Sequence, residues 1–168
     1  MSQIITPDLN ELAGFLVKAK KQTYAGDGRE IEPQRPGFKE LEFIDGDWNY
    51  RDSYVGYYCA PGQEVVRFQG KPVWAMSYDG GIVRSDWGNL NLAKNAFFVL
   101  KQALSQVNES RPFRGPSKVW IGNHLYQNEV EGDITRFNGR EEISLIDKII
   151  FEQKYLGGLI VPKWKTKK

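Results

Sequence analysis

The stretch YDGGIV, Tyr78 to Val83, returns near the end of the chain as YLGGLIV, Tyr155 to Val161. A tyrosine, two glycines and an aliphatic run, written twice, suggest one structural unit used twice. Working outward supports this. Tyr50 and Gly56 in YRDSYVG match Tyr126 and Gly132 in YQNEVEG, and Gly62 and Glu64 match Gly139 and Glu141. Trp74 and Tyr78 match Phe151 and Tyr155, so the offset stays at 76 or 77 positions. Upstream, RPGFK at Arg35 aligns with RGPSK at Arg114, each preceded by a helical pattern. The fold class read from this is α+β. An internally duplicated helix plus antiparallel β-meander, copies 1–86 and 87–168, forms one pseudo-two-fold domain over 1–168. The glycine pairs suit a bend, a bulge or a close backbone approach in a terminal strand, with the preceding tyrosine ring covering the bare backbone.

Residues 6–24 read as a helix, with Thr6 as cap, Pro7 in the first position and Asp8 and Glu11 in the first turn. Leu9, Leu12, Leu16 and Ala19 form its apolar stripe. A second helix fits 89–107, burying Ala93, Ala96, Phe97, Leu100, Ala103, Leu104 and Val107 and leaving Phe98 off the stripe. LEFI, WNYRDSYVGYY, EVVRF and PVWAMSY read as strands of the first half, with QGK a tight hairpin connection. SKVWI, HLYQNEV, DITRF, EEISLI and KIIFEQKY read as strands of the second, with breaks at GN, EGD, NGR and DK. Two such halves join their sheets into six or more antiparallel strands with both helices on one face, and a cleft is expected at their junction.

Composition narrows the function classes. With 168 residues, 40% of them hydrophobic, one globular core is expected. A net charge of +2 gives no basis for direct nucleic-acid binding, and the basic run PKWKTKK reads as a solvated tail. One cysteine, Cys59, and one histidine, His124, make neither a disulfide nor a His/Cys zinc site within the chain. No metal and no cofactor is expected. Without a basic, apolar leader or a run of about 18 apolar residues, the expected setting is the cytoplasm, away from membranes.

Where the halves agree, residues should serve the fold; where they differ, function is the better guess. The first half alone is rich in rings and charge. Trp48, Tyr50, Arg51, Asp52, Tyr54, Trp74 and Tyr78 are the ligand-binding candidates, rings offering stacking area while Arg51 and Asp52 set orientation. Strand alternation puts Tyr50, Asp52 and Tyr54 on one face and Arg51 on the other. The plainer alternative is that these rings stack across one half-exposed sheet. Arg35 with Glu64 and Arg114 with Glu141 are read as a structural ion pair in each half, the alternative being an anion-binding arginine. Asp52, Asp79, Asp86 and Glu64 offer carboxylates for acid–base chemistry, but no spacing pairs them, and no catalytic residue is assigned. A Cys59–His124 dyad has no local support, and neither GDG nor DGG has phosphate-loop spacing.

FLVKAKKQTYAGDG, RPGFKELEF, WNYRDSYVG, EVVRFQGKPVWAMSYDG, RGP and YLGGLI resemble a bacterial family of unknown function. Its members occur alone or behind an N-terminal helix-turn-helix segment in transcriptional regulators, and the similarity covers about residues 12–161. Because the first predicted helix begins near residue 6, the standalone form is expected. The resemblance implies a sensor-like or partner-binding unit. The expectation is therefore a non-enzymatic domain holding a small molecule or a protein partner. The alternatives are a hydrolase- or isomerase-type enzyme using first-half carboxylates and tyrosines, or a homodimer joined through an exposed aromatic face.

Overall fold

The structure is a computed structural model and describes residues 7–163. Helix α1 (Leu9–Gln22) is followed by strands β1 (Lys39–Asp45), β2 (Trp48–Tyr54), β3 (Gly62–Phe68) and β4 (Lys71–Ile82). Helix α2 (Leu90–Leu104) is followed by β5 (Lys118–Ile121), β6 (His124–Asp133), β7 (Arg136–Leu145) and β8 (Lys148–Leu159). All eight strands form one antiparallel sheet, ordered β1-β2-β3-β4-β8-β7-β6-β5. The chain is an α+β fold in which β4 and β8 join the two runs of strands.

Local chemistry sets the helix ends. The Asp8 carboxylate accepts from the backbone N–H of Asn10 and Glu11 at 2.9 and 3.0 Å, so Asp8 is the cap of α1. The expected cap, Thr6, lies outside the described residues, as does most of the basic tail. Asn89 caps α2 through Leu92 N–H. Leu12, Phe15, Leu16 and Ala19 of α1 pack on Tyr50, Val66, Trp74 and Met76, while the α2 stripe packs on Tyr126, Ile143 and Phe151. Phe98, off that stripe, stays exposed.

Strand alternation carries this packing. Tyr50, Val66 and Trp74 align across β2, β3 and β4, and Tyr126, Ile143 and Phe151 align across β6, β7 and β8. Both helices therefore cover the same face. Between these two apolar regions the same face carries Asp52 opposite Glu64, and Glu141 opposite both Gln153 and Asn128. QGK forms the expected hairpin, with Gln69 and Gly70 both at positive φ, as a two-residue turn between right-twisted strands requires.

Three readings need correction. Neither EGD nor NGR breaks a strand, since β6 runs to Asp133 and β7 runs through Gly139, and DITRF is not a strand. Ile134 and Thr135 are the turn between β6 and β7, fastened by the Asp133 carboxylate accepting from Thr135 N–H at 2.8 Å. Gly139 resembles a turn residue in sequence, but here it makes room for a ring. Its strand partner is Tyr155, and an added Cβ would overlap that ring and lie 2.7 Å from the Glu129 carbonyl oxygen. Gly62 stands in the same relation to Tyr78. The tyrosines thus cover glycines across the sheet, not the Gly-Gly pairs that follow them. Those pairs give backbone close approach instead: the loop before β3 hydrogen-bonds along Gly80–Ile82 through Ala60 N–H to Gly80 and Ile82 N–H to Tyr58. Gly139→Ala is expected to lose about 1–3 kcal/mol by overpacking, read from urea unfolding.

Candidate functional site

A cavity of about 210 Å³ opens between the sheet, α2 and the loop before β3. Its walls are aromatic. Tyr54 projects from β2 and meets Tyr24, from the turn after α1, edge to face at 6.3 Å. Tyr57 meets Phe97 of α2 in the same way at 5.2 Å, and Tyr78 and Phe151 complete the apolar surface. Lys39 and Lys101 also line it. Each lysine already has an acid partner, Lys39 with Glu30 at 3.5 Å and Lys101 with Asp27.

The polar floor is built from Asp52, Arg114 and Gln153. Asp52 is only 4% exposed, and the Tyr78 hydroxyl donates to its Oδ1 at 2.7 Å. Among the described residues no hydrogen bond reaches its other oxygen. Behind it, Lys20 donates to Glu64 at 2.5 Å and to the Phe113 carbonyl at 2.8 Å. Arg114 donates to Glu141 through Nε at 2.9 Å and Nη2 at 2.6 Å, while its Nη1 stands 3.8 Å from Glu64. Glu141 also accepts from Tyr126 at 2.6 Å and Gln153 at 2.9 Å. Glu141 is thus amply bonded; Asp52 is not.

Electrostatics follow from this wiring. Burial, reinforced by Glu64 directly across the ladder, pushes the Asp52 carboxyl up to about 7, against the opposing pull of Tyr78, Arg114 and Lys20. Burial lowers Lys20 despite its Glu64 partner. Burial also works against the Arg114 charge, but Glu141 outweighs it and holds the guanidinium firmly protonated. Tyr78 is raised by burial and by Asp52, so its hydroxyl stays a donor. Three buried acids, Asp52, Glu64 and Glu141, meet two buried cations, Lys20 and Arg114. The surplus negative charge falls on the acid that faces the cavity.

Of the ligand-binding candidates, the structure brings Asp52, Tyr54 and Tyr78 to the cavity. It does not bring the others. Tyr50 is sealed beneath α1, and Trp74 is fully enclosed with its Nε1 donating to the Ile134 carbonyl at 3.1 Å. Trp48 packs against Phe15 and Phe68. Arg51 points to the opposite sheet face, 3.2 Å from Glu40, because alternation separates it from Asp52. Arg114 and Glu141 form a buried ion pair, whereas Arg35 does not pair with Glu64. Arg35 lies in an exposed loop over the Phe38 ring and reaches Gln63 at 3.5 Å; Lys20 takes the place beside Glu64. Sequence reasoning missed Lys20, Tyr24, Lys101 and Gln153. Lys20 was detectable, since it follows Leu16 by four residues and so sits on the buried stripe of α1. Gln153 carried no signal. Cys59 hydrogen-bonds Asp79 at 3.6 Å, while His124 lies on β6, in a separate depression beside the start of α2. Among the described residues, no cluster of three or more His, Cys, Asp or Glu is placed to hold a metal ion, and no helix is long and apolar enough to cross a membrane.

Fold and cavity together define an α+β protein with an aromatic pocket over a buried polar cluster. A family model described as "Domain of unknown function (DUF5680)" matches residues 52–160, and the chain belongs to that family. No curated protein and no solved structure matches it. The matched segment begins at Asp52 and contains Tyr54, Tyr78, Arg114 and Gln153.

Proposed function

We propose that the chain is a non-enzymatic, sensor-like domain that holds a small molecule in the aromatic cavity. One observation carries the reading: a partly open hollow whose walls are rings and whose floor presents one under-bonded carboxylate. Ligand sites combine apolar walls with few, well-placed polar groups in this way. A cavity of about 150 Å³ already accommodates benzene, so this one suits a single ring with a polar substituent. Thermal-shift screening against a metabolite panel tests it. A ligand at about a hundred times its Kd should add about 2.7 kcal/mol of stability, and Tyr57→Ala, altering a half-exposed wall residue, should weaken that response. A panel that never moves the transition would leave the reading without support.

Internal duplication belongs to this proposal. It is supported by the strand order, which reads the same outward from the β4–β8 junction, and by a repeated bond. Tyr78 donates to Asp52, and Tyr155 donates to Asn128 at 2.6 Å. Asn128 is closed over by the Gly115 carbonyl, which accepts from its amide at 2.9 Å. The acid thus stands where one half is open, and the amide where the other is filled. A cytoplasmic setting, expected from the sequence, and an association with transcriptional regulators, implied by the resemblance, are part of the same proposal.

A second reading, acid–base catalysis, is favoured by Asp52 itself. A carboxyl poised at about 7 beside Tyr78 has the titration a general base needs near neutrality. Turnover abolished by Asp52→Asn, with binding retained, would select it over the first.

A further inference from the structure

We infer that the ligand of the aromatic cavity is a cation, an ammonium or amidinium group carried on a flat ring, with Asp52 as its counter-ion. This rests on the reading of the cavity as a small-molecule site and adds the ligand's charge.

The inference stands on a count and on geometry. Glu64 is matched by Lys20 and Glu141 by Arg114, and both cations are buried with their partners. Asp52 has a hydroxyl on one oxygen and, among the described residues, no salt-bridge partner of its own. The lysines that line the cavity pair with acids at its rim, Lys39 with Glu30 and Lys101 with Asp27, and among the described residues neither bonds Asp52. A buried acid without a counter-charge is costly, and a cation arriving from outside removes that cost. The walls suit the same guest, because tyrosine and phenylalanine faces attract positive charge. Protein cations already use them: Lys101 lies over Tyr24 at 5.3 Å and Arg114 over Tyr78 at 5.5 Å. An anionic ligand would instead meet Asp52 with Glu64 behind it, a repulsion that Arg114, already engaged with Glu141, is poorly placed to offset.

The test uses four probes of one shape: benzylammonium, benzamidinium, benzyl alcohol and benzoate, titrated calorimetrically into the full chain. The two cations are expected to bind at least about tenfold more tightly than the alcohol or the acid, the size of one charge-assisted hydrogen bond. Affinity for the cations should fall about tenfold between about pH 8 and about pH 5.5, where they stay protonated while Asp52 takes up a proton. The charges facing Asp52 are Glu64 from β3, Lys20 from α1 and Arg114 from the loop before β5. The hydroxyls facing it are Tyr78 from β4, Tyr24 from the turn after α1, and Tyr50 and Tyr54 from its own strand. Arg114 and these tyrosines are all raised above their ordinary values and keep their protons across that window. Asp52→Asn should remove the preference for cations. Benzyl alcohol or benzoate binding as tightly as the cations would overturn the charge assignment while sustaining the cavity as a binding site. Cation binding that is indifferent to both pH and Asp52→Asn would also overturn it. If none of the four binds at millimolar concentration, both the charge assignment and the underlying cavity reading fall.

Discussion

Arg114→Met is expected to lower the unfolding free energy by about 3–5 kcal/mol at neutral pH, measured by urea denaturation. The size follows from what remains behind. Removing the guanidinium takes two hydrogen bonds from Glu141 and the nearest other cation from Glu64, and it leaves buried carboxylates with only Lys20 to balance them. Methionine fills similar space, so the cost is mainly one of charge and not of a cavity. A loss of under about 1 kcal/mol at neutral pH would show that the cluster is not held by this cation.

Asp52→Asn is expected to act in the opposite direction, raising stability by about 1–3 kcal/mol at about pH 8. The sign follows from proton binding. In the unfolded chain this carboxyl titrates near its ordinary value of about 3.9, whereas burial and Glu64 push it up to about 7 in the fold. Between these values the folded state binds more protons, so the Asp52 contribution makes wild-type stability fall as pH rises. The advantage of the asparagine variant should be near zero below about pH 4, grow towards about pH 7, and then level off. The fold already contains the precedent, with Asn128 accepting the Tyr155 hydroxyl in a closed setting. An asparagine variant that is less stable than wild type at every pH would mean that Asp52 serves the fold. Stability gained while cation binding is lost is the trade-off expected of a residue kept for function.

Much of the architecture was legible because it is local. Leu12, Leu16 and Ala19 recur at helical spacing, and Gln69-Gly70 supply the positive φ a two-residue hairpin needs. The misreadings came from glycines. Gly139 looks like punctuation in sequence, yet it is a strand position emptied for the Tyr155 ring. The site was legible in part: Asp52 and Tyr54 stood out by strand alternation and Tyr78 by aromatic content, and all three line the cavity. Tyr50, Trp48 and Trp74 share that face and that chemistry, but α1 covers the end of the sheet where they lie. Residue type cannot distinguish a ring in a core from a ring in a pocket.

The sequence by itself determined the alternation that aligns Tyr50, Asp52 and Tyr54, the apolar stripes of both helices, and the turns that pair neighbouring strands, because these depend on residues a few positions apart. Only the tertiary structure decided which acid lacks a cation. Lys20 reaches Glu64 across 44 positions, and Arg114 reaches Glu141 across 27 and approaches Glu64 across 50. Charge balance depends on distance through space and on exclusion of water, and neither is fixed until helices and sheet close together.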